Sequence, residues 1–197
     1  MNGILQPDSM DFHGKVDFRM REVAILAKKK VLAVYVILIF STIMLSNCTR
    51  PPSESGAGIE IGSRAPNFKL FDLSGKEVSL NQYKGKIVLL DFWATWCGPC
   101  RMTMPLLERL QKEYSDVMVQ MAINLQEPKD VVRDYVLAQG IHALVLLDES
   151  GSVGEAYGAD AIPRQVVIDK EGVVRYIQTG FSARMSSQLR AEIQKLR

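Results

Sequence analysis

Two cysteines stand three residues apart in Asp91-Phe92-Trp93-Ala94-Thr95-Trp96-Cys97-Gly98-Pro99-Cys100. Thiols at this spacing can close a four-residue disulfide ring and reopen it, which is the chemistry of thiol–disulfide exchange. Two other uses of the pair are weaker. So short a ring constrains the unfolded chain little, and a purely structural disulfide here contributes comparatively little stability. A zinc half-site needs two more ligands, and only Cys48, His13 and His142 remain. The surroundings favour redox work, because the pair follows an apolar strand-like run and precedes a helical pattern. If Cys97 opens that helix, its sulfur meets unpaired N–H groups and the positive end of the dipole. Such thiols fall from about 8.5 into roughly the 3.5–7.5 range. Cys100, one turn further in, is then the more buried and less acidic. Cys97 is therefore expected to lie open and attack a substrate disulfide, with Cys100 resolving the mixed disulfide.

Asp91 is the second residue that asks for a chemical reason. A carboxyl within the apolar run Ile87–Trp93 costs free energy unless it is paired or protonated. Burial raises its pKa, which suits it to exchange a proton near neutral pH. The alternative is a strand-end Asp facing solvent, and strand periodicity leaves it open.

The elements that must hold these residues follow from periodicity. Phe68–Leu73 and Glu77–Leu80 flank the turn pair Ser74-Gly75 and form a hairpin. Ile87–Trp93 suits a strand covered on both faces. Leu106, Leu107, Leu110 and Tyr114 recur at helical spacing after Pro105. Val117–Ile123 reads as a buried strand, and a helix opened by Pro128 carries Val132, Tyr135 and Val136 to its close at Gly140. Ala143–Leu147 is a strand and Asp148–Gly151 a turn. Gln165–Asp169 and Val173–Gln178 form a second hairpin around Lys170-Glu171-Gly172. Met185, Leu189, Ile193 and Leu196 line one face of a terminal helix with Ser182 as its N-cap. Hairpin, βαβ units, hairpin and helix make an α/β sandwich around a mixed sheet.

The chain has 197 residues, 47% hydrophobic and 23% charged, which excludes wholesale disorder. Its three cysteines are too few for a disulfide-stapled mini-protein. Residues 1–59 hold seven Lys or Arg and five Asp or Glu, and residues 60–197 hold 17 of each. A neutral domain without a concentrated basic face is not expected to bind nucleic acid. With two histidines, a His-rich metal site is excluded, and no metal or other cofactor is expected.

The N-terminal segment reads as an address and a tether. Lys28, Lys29 and Lys30 precede an apolar run over 31–45, and the uncharged stretch extends to Thr49. A basic region followed by an apolar core is an export signal, and the lysines are expected to stay cytoplasmic while the C-terminal part is exported. The run either remains as a membrane anchor or ends at Cys48 as a lipidation site; Leu45-Ser46-Asn47-Cys48 resembles a lipobox, except that Asn47 is not the small residue usual before the Cys. The expected organisation is a cytoplasmic region plus signal segment over 1–48, a Pro/Ser/Gly-rich linker over 49–59, and a domain over 60–197.

From about residue 60 the chain resembles the thioredoxin superfamily, and within it the TlpA/ResA-type membrane-tethered thiol–disulfide oxidoreductases. Trp96-Cys97-Gly98-Pro99-Cys100 carries most of the resemblance. Gly62 to Phe68, Leu73-Ser74-Gly75-Lys76, Tyr83 to Lys86, Arg101 with Pro105, Tyr157-Gly158, Ile162-Pro163 and Val167-Ile168-Asp169 add to it. The resemblance implies a thioredoxin-like three-layer sandwich: a mixed central β-sheet, helices on both faces and an N-terminal β-hairpin. It implies that Pro163 is a cis-proline beside the active-site disulfide, that Asp91 is the buried acid that deprotonates Cys100, and that Trp96 borders the reactive sulfur. Trp96, Gly98, Pro99, Ile162 and Arg164 become the expected substrate contacts. Two positions depart from the family: Thr103 stands where many members carry Glu, and Arg164 where Thr is common. A cation at 164 is expected either to act on the disulfide or to lie exposed on a loop.

The resulting expectation is an extracytoplasmic enzyme that reduces disulfides of exported proteins, apocytochrome c thiols among the possible substrates, fed by a membrane electron donor of the thiol-relay type. Two alternatives share the fold. A peroxiredoxin-like peroxidase uses an isolated Cys in a Pro- and Thr-containing context that is incomplete here. A non-enzymatic copper-binding assembly protein uses a wider Cys spacing and a downstream His, and this domain offers only His142.

Overall fold

The run Ile87–Trp93 forms the strand β3, and all seven of its residues are buried. Its alternation separates two cores. Val88, Leu90 and Phe92 join Met121, Ile123, Leu146, Val166 and Ile168 on one face. Ile87 and Leu89 pack with Leu107, Leu110, Leu189 and Ile193 on the other, and Trp93 packs there with Cys97, Cys100, Met104 and Val132. A strand apolar on both sides is stable only inside a sheet that is covered twice. The computed structural model describes residues 58–197; the Lys triplet, the apolar run 31–45, Cys48 and the linker up to residue 57 lie outside them.

Seven strands make one mixed sheet in the order β2-β1-β5-β4-β3-β6-β7. They are β1 Lys69–Asp72, β2 Glu77–Ser79, β3, β4 Met118–Leu125, β5 Leu144–Asp148, β6 Arg164–Ile168 and β7 Val174–Thr179. The parallel strands are β3, β4 and β5. The hairpin β1–β2 adds antiparallel to β5, and the hairpin β6–β7 adds antiparallel to β3. The helices α1 Gly98–Glu113, α2 Lys129–Gln139 and α4 Met185–Leu196 cover one face. The short α3 Ser152–Ala156 and the entering segment around Ala65 and Phe68 cover the other. This is the thioredoxin-like sandwich with its N-terminal hairpin that the resemblance implies.

Element ends repeat what their residues allow. Gly140 closes α2 with φ +62, a left-handed cap that other residues adopt at a cost. Gly154 lets α3 lie on β4, since a Cβ there would come 2.7 Å from Leu125 Cδ2. Helix α3 was not expected beyond the Asp148–Gly151 turn, because five residues are too few to show a period. The N-cap of α4 is Arg184 rather than Ser182. Ser182 instead makes a turn just before the helix: its hydroxyl accepts from the Arg184 N–H and its carbonyl from that of Met185. Among the described residues, no helix is long and apolar enough to cross a membrane.

On the face away from α1, Tyr157 is fully buried between Phe68 and Phe92 and donates its hydroxyl to the Pro66 carbonyl at 2.6 Å. That bond ties the entering segment to the sheet. Tyr157→Phe is expected to lower unfolding stability by about 1 kcal/mol, read by denaturant unfolding, with little change at the cysteines.

Candidate active site

The chain leaves β3 at Trp93, turns through Ala94-Thr95-Trp96 and enters α1 at Gly98. Cys97 is the N-cap of α1, with Pro99 in the first turn, where its missing N–H costs nothing. Cys97 and Cys100 are joined in a disulfide with Cα atoms 5.3 Å apart. The Cys100 backbone N–H donates to Cys97 Sγ at 3.2 Å. The sulfur therefore occupies the site where a helix start presents free donors, and a thiolate formed there by reduction meets the same N–H and the same end of the dipole.

One expectation about this pair needs correction. Cys97 does not lie open in the disulfide form: it is 4% exposed, against 1% for Cys100. The order is as expected but the margin is narrow, because the disulfide turns both sulfurs into the cluster of Trp93, Ala94, Met104 and Ile162. What is exposed is the rim. Trp96 is 73% exposed, Pro99 is exposed, and Met102 of the same helix is a large apolar side chain also in contact with solvent; elsewhere Phe181 is exposed as well.

Asp91 is fully buried, so the solvent-facing alternative is excluded. It lies on the helix-covered face with Leu89 and Trp93, opposite Ala122 on β4 and Gln165 on β6. Gln165 Nε2 donates to Asp91 Oδ1 at 2.7 Å, while Oδ2 has no hydrogen-bond partner. Desolvation pushes the carboxyl up to about 7, against a smaller downward pull from the Gln165 bond. An acid so placed changes charge in the range where a protein thiol must gain or lose its proton.

The remaining expected residues fall around this centre. The Ile162–Pro163 peptide bond is cis, and the Pro163 carbonyl accepts from Gly180 N–H at 2.7 Å. Ile162 packs against the cysteine cluster. Gly98 is partly buried in the first turn of α1. Arg164 begins β6 and is half-buried; its guanidinium donates to the Tyr157 carbonyl at 2.9 Å and to Thr179 Oγ1 at 2.8 Å. Register places it on the face opposite to Asp91, because Gln165 is the residue that pairs with Asp91. Thr103 is fully buried and donates its hydroxyl to the Cys100 carbonyl at 2.9 Å. His142 is exposed and its backbone N–H donates to Glu108. A cavity of about 90 Å³ lies against Cys100, lined by Trp93, Arg101, Met104 and Tyr135 among others.

Sequence reasoning missed Glu127. This carboxylate accepts the Thr95 backbone N–H at 2.7 Å and the Thr95 hydroxyl, and Asn124 Nδ2 donates to it at 2.7 Å. It thereby fixes the corner that delivers Cys97 to α1. The signal was available: Glu127 follows the end of β4, and β3 and β4 are parallel, so their C-terminal ends meet on one edge, where α/β proteins build sites. Gln126, just before it, has φ +57, a conformation uncommon for a residue with a side chain, at the turn that follows β4.

A family model described as Redoxin matches residues 60–193. Among curated proteins, the chain is 39% identical over 131 residues to the thioredoxin-like protein YneN of Bacillus subtilis, covering 65% of this chain and 76% of that one. It is 40% identical over 123 residues to the thiol-disulfide oxidoreductase ResA of Geobacillus thermodenitrificans, covering 62% and 71%. Among solved structures, it matches a thiol:disulfide interchange protein DsbE from Chlorobium tepidum with a TM-score of 0.67 and 29% identity, over 71% of this chain and 99% of that one. It also matches the exposed lipoprotein thioredoxin Etrx1 of Streptococcus pneumoniae with a TM-score of 0.57 and 31% identity, over 66% of this chain and all of that one.

The raised Asp91 carboxyl predicts a pH dependence of stability. Between about pH 4 and 7 the folded protein holds a proton there that the unfolded chain has lost, so its stabilising contribution is full below pH 4 and is lost as pH rises to about 7. The expected loss is on the order of 4 kcal/mol. Asp91→Asn should flatten that segment of the stability–pH curve, and its advantage over wild type should grow across the window.

Proposed function

The chain belongs to the Redoxin family, as a ResA-type member of the thioredoxin superfamily, and on that premise we propose that it is a protein thiol–disulfide oxidoreductase that exchanges disulfides through Cys97 and Cys100. The observation that carries this reading is the disulfide at a helix start, with Cys97 Sγ accepting the Cys100 N–H. In the reduced enzyme the Cys97 thiolate attacks one sulfur of a substrate disulfide, forming a mixed disulfide and expelling one substrate thiolate. Cys100 gives its proton to the Asp91 carboxylate and attacks Cys97 Sγ. The second substrate thiolate leaves, and the Cys97–Cys100 disulfide closes. Solvent protonates the two departing thiolates, so one substrate disulfide becomes two thiols.

The finer parts of the proposal rest on the sequence and on the relatives' descriptions. The direction is reductive, supported by the Gly98-Pro99 pair between the cysteines. The domain works on the extracytoplasmic side, held to the membrane by the segment around 31–48; the apolar run behind three lysines and the lipoprotein among the structural relatives support this. Cys48 is the lipidation site if the segment is processed. A reductase outside the cytoplasm needs electrons from a membrane dithiol donor, and exported proteins with cysteine pairs, apocytochrome c among them, are its substrates. Trp96, Pro99, Ile162 and Pro163 frame the contact, with Met102 extending the apolar rim.

In insulin-disulfide reduction regenerated by a dithiol, Cys97→Ser should fall to the uncatalysed rate. Equal turnover by wild type and Cys97→Ser would falsify the proposal. Cys100→Ala should accumulate mixed disulfides in cells, identifiable by mass spectrometry. Asp91→Asn should slow the resolving step by roughly 10²-fold or more while leaving the first attack intact, a split visible in single-turnover kinetics.

A further inference from the structure

The buried carboxyl and its cross-strand partner leave two atoms unanswered. Asp91 Oδ2 and Gln165 Oε1 are both buried without a hydrogen-bond partner, although their companion atoms Oδ1 and Nε2 are bonded to each other at 2.7 Å. The residues sit directly opposite in the antiparallel pair β3–β6, and both are fully buried. A carboxyl and a carboxamide are planar forks of the same size. A neutral carboxylic acid carries one O–H donor, and an amide oxygen is an acceptor. A single proton on Oδ2 therefore satisfies both orphans at once.

We propose that Asp91 and Gln165 form a closed acid–amide pair, with Gln165 Nε2–H donating to Oδ1 and Asp91 Oδ2–H donating to Gln165 Oε1, so that Gln165 is the positioning residue that stores the proton for Cys100. The other unpartnered buried polar atoms on this face, Trp93 Nε1, the Gln120 amide and Asn124 Oδ1, come from neutral side chains, and only Gln165 is bonded to Asp91. The buried side of α1 offers Cys100, Thr103, Met104 and Leu107, and Thr103 spends its hydroxyl on the Cys100 carbonyl. Strand β4 offers Ala122 opposite Asp91, with the neutral Gln120 and Asn124 beyond it. Helix α4 offers Met185, Leu189 and Ile193. Besides the two cysteines, the titratable groups packed on this face include Tyr114 at the end of α1, Tyr135 of α2 against Trp93 and Glu127 on Asn124, and none of them is hydrogen-bonded to Asp91 or Gln165.

The pair extends the proposed exchange reaction, on which its catalytic use rests. When a donor thiolate bonds to Cys97 Sγ, the disulfide breaks and Cys100 Sγ leaves with the electron pair. It takes the Oδ2 proton, leaving a carboxylate that keeps the Gln165 N–H on Oδ1. When Cys100 later resolves a mixed disulfide, its proton returns to Oδ2 and the ring closes again. The amide is fixed on the strand that follows Pro163, two residues from the cis-proline.

The test uses the oxidised full chain in mild detergent and reads the thermal midpoint against pH for wild type, Asp91→Asn, Gln165→Leu and the swap Asp91→Asn/Gln165→Glu. The introduced amide of Asp91→Asn reproduces the shape and both bonds of the neutral acid. At pH 4.5 this variant should melt no lower than wild type, whereas Gln165→Leu melts lower because the acid loses both partners. The swap restores one proton to the pair and should regain the fall in midpoint toward neutral pH that Asp91→Asn loses. In stopped-flow reduction of the disulfide, the swap should recover at least tenfold of the rate that Asp91→Asn loses. A midpoint for Asp91→Asn below wild type at pH 4.5 overturns the pair, because its new N–H would then be an orphan. So does a swap that stays flat with pH or melts low at every pH. Absence of exchange by wild type would count against the enzymatic reading alone, since the melting curves judge the pair without turnover.

Discussion

The site depends on the corner between Trp93 and Gly98, where a strand buried on both faces becomes a helix that covers it. Because β3 is locked between β4 and β6, its last residue is fixed in space. Because α1 must lie on the sheet to bury Leu107 and Leu110, its first residue is fixed too. Cys97 occupies the one position that belongs to both constraints. The Glu127 carboxylate removes the remaining freedom by holding the Thr95 N–H and hydroxyl from the end of β4. Reactivity at the sulfur is thus a property of packing that extends well into the core, and few exposed residues are needed to maintain it.

The interior under α1 is less apolar than its burial suggests. Asp91, Gln165, Gln120, Asn124 and Thr103 are all buried on the helix-covered face of the sheet or on the helix itself. Each costs stability unless its polar atoms are answered. Gln120 keeps both side-chain atoms without a partner, and Trp93 Nε1 is unpaired beside Cys100. An apolar set of the same volume would make a more stable sheet. That the polar row persists next to the disulfide fits a protein that trades stability for proton exchange at one place.

Much of this was legible in the sequence, and what was not has specific physical causes. The long apolar run of β3 and the 3.6-residue spacing in α1 and α4 announced themselves because burial dictates residue type there. Asp91 stood out by the same logic, as a violation of it, and it is fully buried. The openness of Cys97 was overstated, because a helix N-terminus predicts free donors but not what packs over the sulfur. Glu127 was missed because it acts across 32 residues of chain, and spacing patterns carry no information on contacts that only sheet registration creates. Which of Arg164 and Gln165 shares a face with Asp91 could not be read until the register of β6 against β3 was known.

That register has a consequence for how this protein can vary. Residues 164 and 165 are adjacent in the chain yet committed to opposite sides of the sheet, one with a guanidinium tied to Tyr157 and Thr179, the other with an amide on Asp91. Inserting a single residue between Pro163 and Arg164, which begins β6, would shift Arg164 into the position opposite Asp91. A permanent cation would then stand against the acid, hold it as the anion in a salt bridge and leave it with no proton to give. The cis-proline runs straight into β6, and this junction has no room for an added residue.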